Sequence, residues 1–117
     1  MMDSTLAFAV RKHDPPAIEV RVNFGMVAGR EATAAEIDRL AEWLLDEVGE
    51  VSIISEERHE IDAQVEASVH QVRIELTRGV PADDMGRRAL EKRIVERAEH
   101  WAKQCVAERH VAVDALP

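Results

Sequence analysis

Hydrophobic and polar positions alternate along this chain with two different periods, and the changes of period mark its elements. Ile18, Val20, Val22, Phe24 and Met26 alternate with Glu19, Arg21, Asn23 and Gly25. A period of two reads as a strand with one wet face. Gly25 and Gly29 bracket the turn that follows, and Ile37, Leu40, Ala41, Leu44 and Val48 then recur at helical spacing. Thr33 and Glu36 form a Thr-x-x-Glu capping box, in which each side chain satisfies a backbone N–H at the helix start. Gly49 suits the position just past the helix end. The spacing predicts a helix over 33–48. Trp43 lies off its apolar stripe and reads as a ring half-covering the helix edge.

The stretch from Glu50 to Leu76 reads as a hairpin whose faces change character. A two-residue loop at Asp62-Ala63 sets Ile61 opposite Gln64, Val51 opposite Ile74 and Ile53 opposite Val72, the last two pairs pointing inward. A one-residue slip would set apolar residues against polar ones, which supports this register. Asp-Ala lacks the glycine that a type I′ turn favours, so a longer loop or a bulge is the alternative. Further out, the inner face turns polar, with Ser55, Glu57 and His59 opposite His70, Ser68 and Glu66, while Ile54, Val65, Ala67 and Val69 point outward.

Val80-Pro81-Ala82-Asp83-Asp84 opens a long helix, with an aspartate available as its cap and acids in its first turn. Leu90, Ile94, Ala98, Trp101 and Cys105 share one face, and Lys92–Glu96 and Glu99–Lys103 are i,i+4 pairs on the wet side. His110 to Asp114 reads as a short closing strand. Residues 1–16 end in Arg11-Lys12-His13-Asp14-Pro15-Pro16, where two prolines stop any ladder, and read as a flexible N-terminal tail. Residues 17–117 then form a single domain of order strand, helix, strand, strand, helix, strand. That order describes an α+β ferredoxin-like βαββαβ sandwich: an antiparallel sheet, two helices on one face, and an extended hairpin of its second and third strands. Such an architecture hosts many unrelated activities and names none.

Composition narrows the classes. Hydrophobic residues make up 46% of the 117, which excludes a disordered chain. Aromatics are only 3%, so the core is expected to be Val, Ile, Leu, Ala and Met. Acids outnumber bases 23 to 15 for a formal charge of −8, against the clustered bases of a nucleic-acid binder. The outer sheet face also lacks the stacking aromatics of RNA-binding sheets, placing Glu19, Arg21 and Asn23 beside Arg73, Glu75 and Gln71. No run approaches the ~20 apolar residues of a membrane span. Met1 to Val10 has no basic n-region, so no signal peptide is expected. The single cysteine, Cys105, permits no internal disulfide. Together these lead to the expectation of a cytoplasmic protein with neither nucleic-acid nor membrane partners.

Three places could carry function. His59, His70, Glu57, Glu66 and, on the closing strand, His110 converge at the arm's end of the sheet, a donor set suited to Zn²⁺ or Fe²⁺ or to general acid–base work. A hydrogen-bonded polar patch is the simpler account. Gly29 and Arg30 lie at a helix start, where backbone N–H groups can hold an anion, although Glu31 would repel one. Glycines that simply permit a tight turn explain this segment more economically. Ile54, Val65, Ala67 and Val69 have no helix to cover them, and exposed apolar strands invite another chain. The leading expectation is a homo-oligomeric binding or assembly module without catalysis. The alternative is a small metal-binding protein or enzyme using the His/Glu cluster, with a small molecule or a metal as its ligand, and no motif specifies a cofactor.

Overall fold

Part of the expected tail is a strand. In the computed structural model, which describes residues 6–10, 17–61 and 66–114 and no side chains for 58–61, 66–69 and 109–114, β1 (Ala7–Val10) pairs antiparallel with β2 (Ile18–Val22). Ala7 lies opposite Val22 and Ala9 opposite Val20. The chain continues through α1 (Phe24–Ala28), α2 (Ala34–Val48), β3 (Ser52–Ile61), β4 (Glu66–Leu76) and α3 (Asp84–Asp114). The fold is α+β, with a four-stranded antiparallel sheet in the order β1-β2-β4-β3.

This order departs from the expected βαββαβ sequence at both ends. No closing strand forms at His110–Asp114, because α3 runs on through Asp114. Between Arg87 and Asp114 there is neither Gly nor Pro, and extending a helix gains one backbone hydrogen bond per residue fixed. That gain outweighs the strand preference of Val111 and Val113. The edge beside β2 is taken by β1.

The first long strand is also shorter than its alternation implied. Asn23 donates its N–H to the Leu6 carbonyl at 2.7 Å, and α1 begins at the next residue. Phe24 turns into the core, leaving Met26 and Val27 exposed, and Gly29 ends α1 in the left-handed region at φ 71°. The capping box forms as expected: the Glu36 N–H donates to Thr33 Oγ1 at 3.2 Å, and the Thr33 N–H to Glu36 Oε1 at 2.9 Å. Asp83 caps α3, its carboxylate accepting from the Gly86 N–H at 2.8 Å.

The helices lie on one face of the sheet. Ile18, Val20 and Val22 of β2 and Val72, Ile74 and Leu76 of β4 share one buried cluster with Leu40 and Leu44 of α2 and Leu90, Ile94, Ala98 and Trp101 of α3. In the hairpin, Ile53 lies opposite Ile74, Ser55 opposite Val72 and Ile61 opposite Glu66. This is two residues away from the expected register, and the expected turn at Asp62-Ala63 lies outside the described residues. A two-residue shift keeps every side chain on its face, so the inward set stands while its partners change.

Candidate functional site

The arm is where the hairpin outruns the sheet. β2 pairs with β4 only from Val72 to Leu76, so β3 and β4 continue as two strands from Glu56 opposite Gln71 to Ile61 opposite Glu66. Glu57 lies opposite His70, and His59 opposite Ser68, on the inward face. Gly25 of α1 seats the root of the arm: a Cβ there would lie 3.0 Å from the backbone nitrogen of His70 and 3.1 Å from its Cβ. His70 Nδ1 is shielded from solvent without a hydrogen-bond partner, and the Glu31 carboxylate stands 4.0 Å away.

The expected His/Glu set is redistributed. His110 belongs to α3 and to no strand. Glu66 faces Ile61 where His59 was expected to face it. The side chains of His59, Glu66 and His110 lie outside the described residues. Among the described residues, no three His, Cys, Asp or Glu side chains are placed to hold a metal ion. Of the proposed contact residues, Val65 lies outside the described residues and Ile54 is half-buried. Ala67 and Val69 occupy outward register positions opposite Glu60 and Arg58. On the arm, the outward register positions are therefore Ala67 and Val69 along β4 and Glu56, Arg58 and Glu60 along β3.

Arg30 and Gly29 sit at the same end of the sheet, and the Arg30 fork holds a carboxylate of its own chain. Its two terminal nitrogens donate to Glu36 Oε1 and Oε2, each at 2.8 Å, and the guanidinium lies 5.3 Å from the Phe24 ring centre. Hydrogen bonding from Arg30, helped by Thr33 and opposed by burial, lowers the Glu36 carboxyl to a pKa of about 2. Trp101, fully buried, donates its indole N–H to the Glu36 carbonyl at 2.8 Å and stacks at a tilt on Phe24, ring centres 5.2 Å apart. Burial first, and then the Glu36 charge, push the neighbouring Cys105 thiol up to about 12. A thiol that is buried and protonated is a poor nucleophile. Cys105 in the folded protein is therefore expected to resist a disulfide-exchange reagent at pH 7.5 and to react once urea unfolds the chain; rapid labelling of the native state would overturn this.

Sequence spacing missed the Arg30–Glu36 link because it crosses a turn and a helix cap, where no period applies. Trp43 matches its expected role at the helix edge, half-buried and stacked on His100 with ring centres 5.9 Å apart.

The outer sheet face carries a network in which like charges face each other across strands. Glu19 lies opposite Glu75, and Arg21 opposite Arg73. Opposite charges are linked along each strand instead, Arg21 to Glu19 at 2.8 Å and Arg73 to Glu75 at 3.1 Å. Glu56 of β3 reaches both arginines at 3.7 Å. Gln71 donates to Asn23 Oδ1 at 2.7 Å. Phe8 and Val10 flank this network and line a shallow depression of about 420 Å³ with Arg21 and Glu56. The opposite charges offset one another along the strands, while Arg73 Nε is shielded from solvent without a hydrogen-bond partner.

The chain matches no protein-family model, no curated protein and no solved structure. Among the described residues, no helix is long and apolar enough to cross a membrane.

Proposed function

We propose that this chain is a non-catalytic module that assembles with copies of itself through the β3–β4 arm. One observation carries the reading. From Glu56 and Gln71 outward the arm is only two strands wide, with β2 ending at Val22. An isolated two-stranded ribbon is at best marginally stable in water, and a third strand or a packed surface stabilises it. Ala67 and Val69 occupy outward register positions on the same arm, and Ile54 lies on β3 just before its root.

Light scattering on the full chain at micromolar concentration tests the reading, with a mass above that of the 13.1 kDa monomer expected. A trimmed chain supplies the control. Replacing residues 59–68 by Asn-Gly keeps Arg58 opposite Val69 across a turn suited to a hairpin. The trimmed chain should remain folded by circular dichroism and run as a monomer. A monomeric full chain, or a trimmed chain that assembles as before, would remove the arm from the account.

A further inference from the structure

The arm has two surfaces to offer, its outward face and its free edge, and the edge has the more definite partner. β3 is the outermost strand of the sheet, so the backbone groups on one side of Ser52–Ile61 face away from β4. Glu56, Glu57, Arg58 and Glu60 lie in this strand, and charges on an edge discourage indiscriminate pairing. A strand that pairs there must complement them.

A second copy of β3 does so in two registers, and the one centred on Glu57 pairs residues 53–61, whereas the one centred on His59, which sets Arg58 opposite Glu60, pairs only residues 57–61. For two copies to keep their helices on the same side of a joined sheet, each outward residue must face an outward residue. Centring the two-fold axis on Glu57 sets Glu56 of each copy opposite Arg58 of the other on the outward face, and Ile53 opposite Ile61 on the inward face. Centring on Glu56 pairs Glu56 with itself and leaves Arg58 opposite Ile54. Centring on Arg58 opposes like charges, with Arg58 facing itself and Glu56 facing Glu60.

The helix layer supplies a second observation. Leu45 of α2 is 57% exposed, and with Ala41 and Val51 it lines a groove of about 270 Å³ beside the start of β3. In the Glu57-centred register Ile61 of the other copy lies at an inward position opposite Ile53, two residues along the chain from Val51 of this groove.

We propose that the partner is a second copy of this chain, joined by antiparallel pairing of the two β3 edges about Glu57, with Ile61 of each copy over the Leu45 groove of the other. The proposal rests on the self-assembly reading above and specifies its geometry. It joins two four-stranded sheets into one continuous sheet. The one like-charged contact is Glu57 against its own copy, flanked on each side by His70 in β4.

Single cysteines at Glu56, Glu57, Arg58 and His59 test the register in the full chain under mild oxidation. Directly opposed antiparallel residues have Cα atoms about 4.5–5.5 Å apart, within the range of about 4.4–6.8 Å that a disulfide spans. Only Glu57→Cys should convert to a disulfide-linked dimer, and buried Cys105 supplies no background. Leu45→Glu should shift the dimer to monomer at concentrations where the parent is dimeric. Val69→Asp, on the outward face, should leave the dimer intact. A dimer that cross-links at 56, 58 or 59 instead of 57, tolerates Leu45→Glu, or is lost with Val69→Asp overturns the edge geometry and leaves self-assembly standing. A parent chain that is monomeric by light scattering overturns both.

Discussion

Trp101→Ala is expected to lower the unfolding free energy by about 3–5 kcal/mol, the range for removing a large buried aromatic side chain. Trp101 is the largest fully buried side chain in the protein, in a core whose other members are mostly aliphatic. Three elements meet on it. Its ring rests on Phe24 at the start of α1, and its indole N–H ties α3 to the first turn of α2 through the Glu36 carbonyl. Truncation leaves a cavity at the junction that also positions Arg30 and the root of the arm. Small domains have only about 5–15 kcal/mol of stability in all, so this single change approaches the whole of it for a domain at the lower end. Trp101→Phe separates the two contributions. It retains most of the ring and removes the donor, and the smaller loss expected is about 1–2 kcal/mol. Urea unfolding monitored by circular dichroism gives both values. If the two variants were equally destabilised, the hydrogen bond and not the volume would dominate, and the packing account of this junction would fail.

The parts of the fold that were legible in the sequence are those where periodicity and a local cap agree. Ile18 to Val22 alternates cleanly, and Thr33 with Glu36 marks the start of α2 before its apolar stripe begins. Where the two conflict, or where the run is short, the pattern misleads. β1 sends only Ala7 and Ala9 to the inner face, too few positions to establish a period. Phe24 and Met26 continue the alternation of β2, yet Phe24 and Ala28 are equally well spaced for a helical turn, and Asn23 diverts its N–H to Leu6. His110 to Asp114 has strand-like composition but follows an unbroken helix, and the existing ladder decides its conformation. The hairpin register was degenerate for a different reason. A shift by two residues leaves every side chain on its face, so hydrophobic pattern alone cannot separate the expected pairing from the observed one. That shift moved His59 from Glu66 to Ser68 and brought Glu57 opposite His70, which changes any chemistry read from the arm while leaving the core untouched.

Glu36→Gln should cost roughly 2–3 kcal/mol at pH 7, and the loss should vanish in acid. The carboxyl of Glu36 has an ordinary pKa of 4.5 and a folded-state value of about 2, held down chiefly by the Arg30 guanidinium. A depressed carboxylate contributes stability above its unfolded pKa and loses that contribution as the pH falls through the folded value. At about 1.4 kcal/mol per unit, a lowering of this size corresponds to about 3 kcal/mol before any allowance for partial solvent access. The Glu36 side chain is 16% exposed and Arg30 23%, so most of this should survive screening. Glutamine can still accept the Thr33 N–H, which preserves half of the capping box and confines the change to the charge. The removed charge leaves the Arg30 guanidinium half-buried over Phe24 with a weaker acceptor. Above pH 4.5 the parent and the variant should therefore differ by a constant amount. Between pH 4.5 and 2 the gap should close, because the parent must take up the proton that the variant never binds. Carboxylates common to both chains cancel in the difference, save for the small influence of the Glu36 charge on Glu108, whose carboxyl Arg39 holds below its ordinary value. Urea melts at a series of pH values supply the measurement. A gap that persists unchanged down to pH 2 would mean that Glu36 acts through its cap geometry alone. The ion pair with Arg30 would then not be what fixes the turn between α1 and α2 against the base of the arm.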